Sequence, residues 1–238
     1  MHAVMNTDDG IRVVDADEPS GAGVRSSVVS AGICGTDVNL VAAGISGFIY
    51  GHEFAGVDDS GTGYFVEPIV YGGKCGECRS GHTQRCAEPG NTTLGIFSDG
   101  GMAETVVVPE YSLLALPAQL DVKDACLIEP AAIAWHGVRR AQVQPGKRFL
   151  VVGGGSIGLL AAAAARHQGF DVDVDARHDH QLAAAERLGS GRPSGDYDVV
   201  LDAAGCESSM ARSAEAARPG GRIVSLDSGL TLQATASR

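Results

Sequence analysis

The segment Gly153-Gly154-Gly155-Ser156-Ile157-Gly158 constrains the fold of this chain more than any other feature. It follows the apolar run 149–152 and leads into an Ala-rich stretch, which predicts a tight turn from a buried strand into a helix. In such a turn Gly153 permits the bend, Gly155 admits a pyrophosphate close to the backbone, and Gly158 lets the helix pack on the strand. A generic strand–helix turn is the alternative interpretation. The predicted cofactor-binding residues here are Gly153, Gly155, Ser156, Ile157 and Gly158.

Strands and helices alternate after this loop, as they do in a doubly wound parallel sheet. The residue pattern predicts strands at 148–153, 170–175, 197–201 and 221–226, and helices at 156–168, 180–188 and 208–217. Upstream, short apolar runs broken by Gly, Asp and Pro indicate a β-rich region. We therefore expect a β-rich domain at 1–145 and a dinucleotide-binding domain at 146–238. Only seven residues, 190–196, lie where a full dinucleotide-binding fold has a further strand and helix.

Two side chains after the second of these strands bear on the choice of cofactor. Asp175 stands 17 residues after Gly158, where a carboxylate accepts hydrogen bonds from the ribose hydroxyls of NAD. Arg177 follows, and a guanidinium suits the 2′-phosphate of NADP. The position of Asp175 favours NAD, while Arg177 leaves NADP open. If neither contacts a cofactor, Asp175 caps the strand and Arg177 is solvated.

Three separated fragments carry the chemistry of metal ligands. They are Cys34-Gly35-Thr36-Asp37, Gly51-His52-Glu53 and Glu129-Pro130. A thiolate, an imidazole and a carboxylate can hold zinc with one position open, which is what a catalytic zinc needs. Taken singly, each has a structural interpretation: a core cysteine, a hydrogen-bonded histidine and the first turn of a helix. A metal and a nicotinamide cofactor in one chain indicate hydride transfer on an alcohol or ketone.

The cysteines and the charge balance restrict the compartment and the partners. Cys75, Cys78 and Cys86 cluster with ligand-like spacing, which favours a reduced compartment and metal binding over disulfides. The formal charge of −11 disfavours nucleic acid and anionic membranes as partners. No apolar stretch has the length of a membrane span, and residues 1–10 show no export signal. We therefore expect a cytoplasmic protein that acts on a small molecule.

Together these motifs resemble the medium-chain dehydrogenases/reductases, in particular the zinc-dependent branch that acts on alcohols, polyols and threonine. The resemblance runs from residue 1 to about residue 226 and is carried by the segments 31–37, 51–56, 100–104, 128–131 and 153–158. It implies a GroES-like β-rich catalytic domain followed by a Rossmann-type doubly wound parallel sheet. Family members usually continue beyond this point, so the chain is expected to be a shortened member.

The resemblance also implies roles for individual residues. The implied ligands of the catalytic zinc are Cys34, His52 and Glu129. Glu53 is the nearby acid that can join or relax the coordination shell. Thr36 contacts the substrate oxygen and begins proton removal, and Asp37 orients the ligands from behind.

Two positions depart from the family pattern. Asn39 stands where related alcohol dehydrogenases often carry a relay histidine, so proton release needs water or another route. The family's second zinc lobe spaces its cysteines as C-x2-C-x2-C-x7-C. Here Cys75, Cys78 and Cys86 fit the last three positions, and Gly72 falls on the first. Three thiolates are one short of a closed tetrahedral site, so the lobe binds zinc weakly, recruits a neighbour such as His82, or is empty.

The predicted function is therefore hydride transfer between an alcohol or polyol and NAD or NADP, with zinc as the second cofactor. A homo-oligomer is left open. Two alternatives also stay open: a zinc-free NADPH-dependent ketone or alkene reductase of the same fold, and a trimmed nucleotide-binding relic without turnover.

Overall fold

The computed structural model describes residues 1–142 and 144–226. The chain divides into two compact units, Met1–Glu129 and Pro130–Arg238. The division falls in the first turn of a helix, upstream of the predicted boundary between residues 145 and 146, which stays a prediction. No helix in the described part of the chain has both the length and the apolar character needed to cross a membrane.

Antiparallel strands build most of the first unit. Its strands are β1 (His2–Thr7), β2 (Gly10–Asp15), β3 (Val24–Ala31), β4 (Phe54–Val57), β5 (Gly63–Val66), β6 (Ile69–Val70), β7 (Thr92–Thr93), β8 (Thr105–Val108) and β9 (Leu113–Ala115). Its helices are α1 (Gly35–Ala42) and α2 (Gly76–Arg79), with 3₁₀ turns at Thr83–Arg85, Glu110–Ser112 and Ala125–Leu127. The largest sheet has the order β8-β3-β4-β5-β9, and β1 pairs with β2 and β6 with β7 in separate hairpin-like pairs.

The pairing of β3 with β4 positions the first candidate site. Ala31 lies opposite Phe54 in the antiparallel ladder, and the Gly32 N–H donates to the Glu53 carbonyl at 2.7 Å. The residues that follow β3 therefore meet the residues that precede β4. Phe54 is fully buried and packs with Val66 and Val108 in the core of this sheet, which anchors that end of the ladder.

Parallel strands and helices build the second unit. Helix α3 (Ile128–Arg140) leads into it, and then come β10 (Arg148–Val152), α4 (Ser156–His167), β11 (Asp171–Asp175), α5 (Asp179–Arg187), β12 (Tyr197–Asp202), α6 (Glu207–Ala216) and β13 (Ala217–Ser225). All pairs in its sheet are parallel, in the order β11-β10-β12-β13. Side chains alternate across β10: Phe149 and Val151 enter one core, and Leu150 and Val152 enter the other. Helices cover both faces, since α4 packs on the first core and α6 on the second, so the predicted doubly wound sheet is confirmed.

Two details differ from the sequence prediction. The strand predicted at 221–226 begins earlier, because β13 already pairs at Ala217 and then bulges opposite the step from Tyr197 to Val199. The segment 190–196, which lies where a full dinucleotide-binding fold has a further strand and helix, contributes one parallel bridge between Gly191 and Asp173 of β11. The Gly191 N–H donates to the Val172 carbonyl at 2.9 Å, and the Val174 N–H donates to the Gly191 carbonyl at 3.1 Å.

Candidate metal and nucleotide sites

The first candidate site unites Cys34, His52 and Glu53, whose ligand atoms all lie within 4.8 Å of one another. Cys34 caps the N-terminus of α1, directly after β3, and the other two residues directly precede β4. His52 and Glu53 are buried, with 5% and 7% of their surface exposed. A thiol, an imidazole and a carboxyl that converge in the interior form a donor set suited to zinc.

Asp37 holds this group from behind. It is 3% exposed, and one carboxylate oxygen, Oδ2, accepts the Cys34 N–H at 2.8 Å. The other oxygen, Oδ1, lies 3.5 Å from His52 Nδ1, and neither of these two buried atoms has a hydrogen-bond partner in the described part of the chain. At this distance the two groups attract as an ion pair, and His52 Nε2 is left as the nitrogen available to a metal. A carboxylate behind the second nitrogen is the usual support of a metal-bound histidine.

His52 and Glu53 both have raised pKa values. Burial alone lowers the pKa of His52, but attraction to Asp37 and Cys34 outweighs burial and raises that pKa to about 10. Burial raises the pKa of Glu53, against the attraction of His52. A divalent cation at this site would have to displace the imidazole proton, and it would favour the ionised form of the carboxyl group.

Gly32 makes room for the carboxyl group of Glu53. An ideal Cβ built on Gly32 would lie 2.2 Å from Glu53 Oε2 and 3.2 Å from its Cβ. Any larger residue would push this carboxyl group away from Cys34 and His52. The glycine of the Ala31-Gly32-Ile33-Cys34 motif is therefore explained by the carboxyl group beside it.

Glu129 and Thr36 are not part of the trio of Cys34, His52 and Glu53. Glu129 is half-buried at the start of α3. Burial raises its pKa, His52 lowers it and Glu53 raises it, so the Glu129 carboxyl lies within electrostatic reach of both. Thr36 is half-buried in the first turn of α1. The structure thus places Glu53, expected as the nearby acid, inside the trio, and Glu129, expected as a ligand, next to it.

Glycine is required at different positions of the nucleotide loop for different physical reasons. Gly153 has a φ of +107°, which only glycine adopts without strain at the sharp bend after β10. A Cβ on Gly158 would lie 1.9 Å from the Gly153 carbonyl oxygen, so α4 packs too closely on the turn for any side chain. Gly155 is the N-cap of α4, and a Cβ there meets no atom within 4 Å. The space in front of Gly155 is open, as pyrophosphate binding requires. Ser156 and Ile157 form the first turn of α4.

A cavity of about 320 Å³ adjoins this loop, and its walls include Gly153, Asp175, Arg177 and Arg212. Asp175 ends β11, as predicted, and its Oδ2 accepts a hydrogen bond from Arg212 Nε at 2.6 Å. Arg177 lines the same cavity, and no carboxylate of residues 1–142 and 144–226 forms an ion pair with it. Arg212 comes from α6 and was not identified from the sequence, because no local motif marks a residue 37 positions away from its partner.

The second candidate metal site unites Cys75, Cys78 and Cys86, whose sulfur atoms lie within 4.8 Å of one another. Cys75 is the N-cap of the one-turn helix α2, and its sulfur accepts the Cys78 N–H at 3.5 Å. Amide donors, led by the N–H of Ala87, lower the pKa of Cys75 to about 7. Burial and the neighbouring thiols raise the pKa of Cys78 to about 11. Cys75 therefore ionises more readily than an ordinary cysteine, and Cys78 resists ionisation beside it.

Comparison with known proteins shows what this chain is similar to in sequence and in fold. Residues 22–118 match the alcohol dehydrogenase GroES-like domain. The L-galactonate-5-dehydrogenase of Escherichia coli strain K12 is 34% identical over 229 residues, which is 83% of this chain and 66% of that protein. A cobalt- and zinc-bound thermostable alcohol dehydrogenase from Pyrobaculum aerophilum is 30% identical, with a TM-score of 0.85 over 97% of this chain and 78% of that chain. A zinc-binding dehydrogenase from Sinorhizobium meliloti 1021 bound to NADP is 28% identical, with a TM-score of 0.85 over 98% and 79% of the two chains.

The chain therefore belongs to the zinc-type alcohol dehydrogenases of the medium-chain dehydrogenase/reductase family. The resemblance inferred from the motifs is confirmed, and so is the fold, a GroES-like unit followed by a Rossmann-type unit. The chain spans about two thirds of the length of the E. coli dehydrogenase.

Proposed function

We propose that this chain is an oxidoreductase that transfers a hydride between the CH–OH group of a small alcohol or polyol and a nicotinamide cofactor. One observation carries this proposal: Cys34, His52 and Glu53 converge in the interior, and the Asp37 carboxylate behind them turns Oδ1 towards His52. The matched E. coli protein is named as a dehydrogenase of a sugar acid, which supports a polyhydroxylated substrate.

In this proposal Cys34 Sγ and His52 Nε2 hold a zinc ion together with a carboxylate. Glu53 supplies that carboxylate in the trio, and Glu129 is the second acid within reach. Zinc held there would supply Lewis acidity towards the alcohol oxygen, and a bound nicotinamide would supply the hydride acceptor. Asp37 keeps the imidazole oriented, so that the same nitrogen faces the metal throughout.

Thr36 is proposed to take part in proton release. Its hydroxyl follows Cys34 by two residues in the first turn of α1, and a hydroxyl can accept one proton while donating another. Asn39, on the exposed side of the same helix, has an amide that does not titrate, so the proton continues to the cofactor ribose and to solvent.

For the cofactor we propose a preference for NADP over NAD. The Asp175 carboxylate is already paired with Arg212, so its negative charge is offset where a 2′-phosphate would bind. Arg177 adds a second guanidinium to the same cavity, and guanidinium groups bind phosphate in a bidentate manner. The cavity therefore carries two positive groups against one negative group.

Turnover assays on purified, zinc-loaded protein test the proposal. We expect formation of the reduced nicotinamide from a panel of sugar alcohols and sugar acids, and loss of that turnover in Cys34→Ala. Cys126→Ala is the matched control, since Cys126 is a half-buried cysteine outside both clusters. If Cys34→Ala retained full turnover, the zinc-free reductase would be favoured instead. Nucleotide binding without turnover on any substrate would favour the non-catalytic alternative.

A further inference from the structure

The cluster of three cysteines has a neighbour that the sequence pattern does not reveal. The Gly72 N–H donates to Cys86 Sγ at 3.5 Å, so Gly72 lies at the edge of the cluster. An ideal Cβ built on Gly72 would lie 1.7 Å from Glu88 Oε2 and 2.7 Å from the Glu88 Cδ. The Glu88 carboxyl group thus occupies the space into which a side chain at position 72 would point.

The neighbour suggested by the sequence, His82, is engaged elsewhere. Its Nδ1 lies 3.0 Å from Ser80 Oγ and 3.6 Å from a carboxylate oxygen of Glu77. The imidazole is also exposed at the surface of the lobe. Glu88, in contrast, is half-buried, and within residues 1–142 and 144–226 its carboxylate has one weak hydrogen bond, since Oε2 accepts the Lys74 N–H at a distance of 3.3 Å.

The donor set lacks one member. Zinc in closed sites takes four ligands in a tetrahedron, with carboxylate oxygen among the accepted donors. In this lobe the three sulfur atoms lie within 4.8 Å of one another, and the Glu88 carboxylate lies farther than 4.8 Å from at least one of them. Its terminal torsion is soft, and the long bond to Lys74 leaves the carboxylate free to turn onto an ion.

We propose that Glu88 is the fourth ligand of a zinc ion held by Cys75, Cys78 and Cys86. The site would then be closed, with three sulfur donors and one oxygen donor. Gly72 is part of the same arrangement, because only a residue without a side chain leaves room for the carboxyl group. This proposal concerns a site separate from the Cys34 cluster and does not depend on the proposed dehydrogenase activity.

Zinc affinity of the full chain with and without Glu88 tests this. The parent carries Cys34→Ala, so that the other cluster does not contribute, and the metal is titrated against a chromophoric chelator. Loss of a group behind the ligands costs about 10- to 100-fold in metal affinity, so we expect Glu88→Gln, which loses a ligand, to cost about 100-fold or more. Glu77→Gln is the matched control, because it removes the same charge from the same lobe away from Gly72.

Cobalt substitution separates a ligand from a structural support. Glutamine can still accept the Lys74 N–H, so a purely structural Glu88 would leave zinc affinity and the visible spectrum of the cobalt-loaded protein as in the parent. A ligand role predicts a changed cobalt spectrum in Glu88→Gln, and recovery of tight binding in the double variant Gly72→Cys/Glu88→Ala, where a fourth thiolate takes the vacated space. An unchanged spectrum, affinity equal to that of Glu77→Gln, or a parent that binds no zinc in this lobe would overturn the proposal.

Discussion

At the scale of residues, the positions of individual polar atoms determine which ligands the Cys34 cluster can bind. The buried Nδ1 of His52 and Oδ1 of Asp37 face each other without hydrogen-bond partners, which is costly unless a charge on the imidazole or on a bound cation compensates. Cys34 and His52 could be selected from the sequence by fragment order and ligand chemistry, and Glu53 through the family resemblance. Their ranking could not, since only the folded chain shows Glu53 within the trio and Glu129 beside it.

Asp37→Asn tests the supporting role of this carboxylate. The amide retains an oxygen that accepts the Cys34 N–H but loses the charge facing His52, so we expect zinc affinity to fall by about 10- to 100-fold while the fold is retained. Chelator competition measures the affinity. Asp58→Asn is the control, since Asp58 accepts backbone N–H groups in an exposed turn of the same unit. Equal zinc affinity in the two variants would show that Asp37 only caps α1.

Arg212→Ala tests the pairing at the nucleotide cavity. Removing the guanidinium exposes the Asp175 charge to the cofactor ribose, so we expect the affinity for NADP to fall and the affinity for NAD to rise or hold. Titration of both nucleotides by fluorescence gives the ratio of dissociation constants. Arg192→Ala is the matched control, because Arg192 pairs with Glu186 on the exposed face of α5. A ratio that does not move in Arg212→Ala contradicts the NADP preference proposed here.

At the scale of elements, local sequence patterns were sufficient to predict a strand–loop–helix unit, but they did not reveal contacts between residues distant in sequence. The strand–loop–helix unit around Gly153 to Gly158 lies as predicted, because the steric requirements for Gly153 and Gly158 arise within this one turn. Arg212 and Glu88 were missed for a common reason. Each meets its partner, Asp175 or Gly72, only after strands and loops far apart in sequence have packed together.

Two substitutions in the nucleotide loop should fail in different ways. Gly155→Val meets no atom within 4 Å, so we expect an unchanged melting temperature and loss of nucleotide affinity, because the isopropyl group fills the phosphate position. In Gly158→Val the added Cβ would lie 1.9 Å from the Gly153 carbonyl oxygen. We therefore expect the overpacked site to destabilise the second unit by about 3 kcal/mol. Thermal melts and nucleotide titrations on both proteins separate the effects. Unchanged nucleotide affinity in folded Gly155→Val would leave the loop a purely structural turn.

At the scale of the whole molecule, charge links the strands of the second unit. Asp198 of β12 accepts the Arg148 N–H of β10 at 3.0 Å and Arg218 Nε of β13 at 2.8 Å. The Arg148 amide, with Arg218 and Lys147, lowers the pKa of Asp198. A depressed carboxyl pKa adds stability above the unfolded value, near pH 3.8, and that stability is lost as pH falls through the folded value.

Asp198→Ala should therefore destabilise the protein in a pH-dependent manner. At pH 7 we expect a loss of about 1–3 kcal/mol, because two donors lose a charged acceptor. As pH falls from the unfolded pKa near 3.8 through the lower folded pKa, the difference from the parent should shrink, since the folded carboxyl becomes protonated only over that range. Urea unfolding at both pH values measures the difference. A destabilisation that stays constant down to pH 3 would assign the effect to packing and not to charge.

The single bridge at Gly191 has a consequence for how the sheet opens. Its two hydrogen bonds, to Val172 and from Val174, form an isolated bridge outside the named strands. Breaking them exposes one edge of β11 without disturbing the pairing of β10 with β12. Such isolated rungs open in local fluctuations far smaller than global unfolding. The Val174 amide proton should accordingly exchange with solvent through this local opening. The amide protons hydrogen-bonded between β10 and β12 should exchange only when the whole unit unfolds.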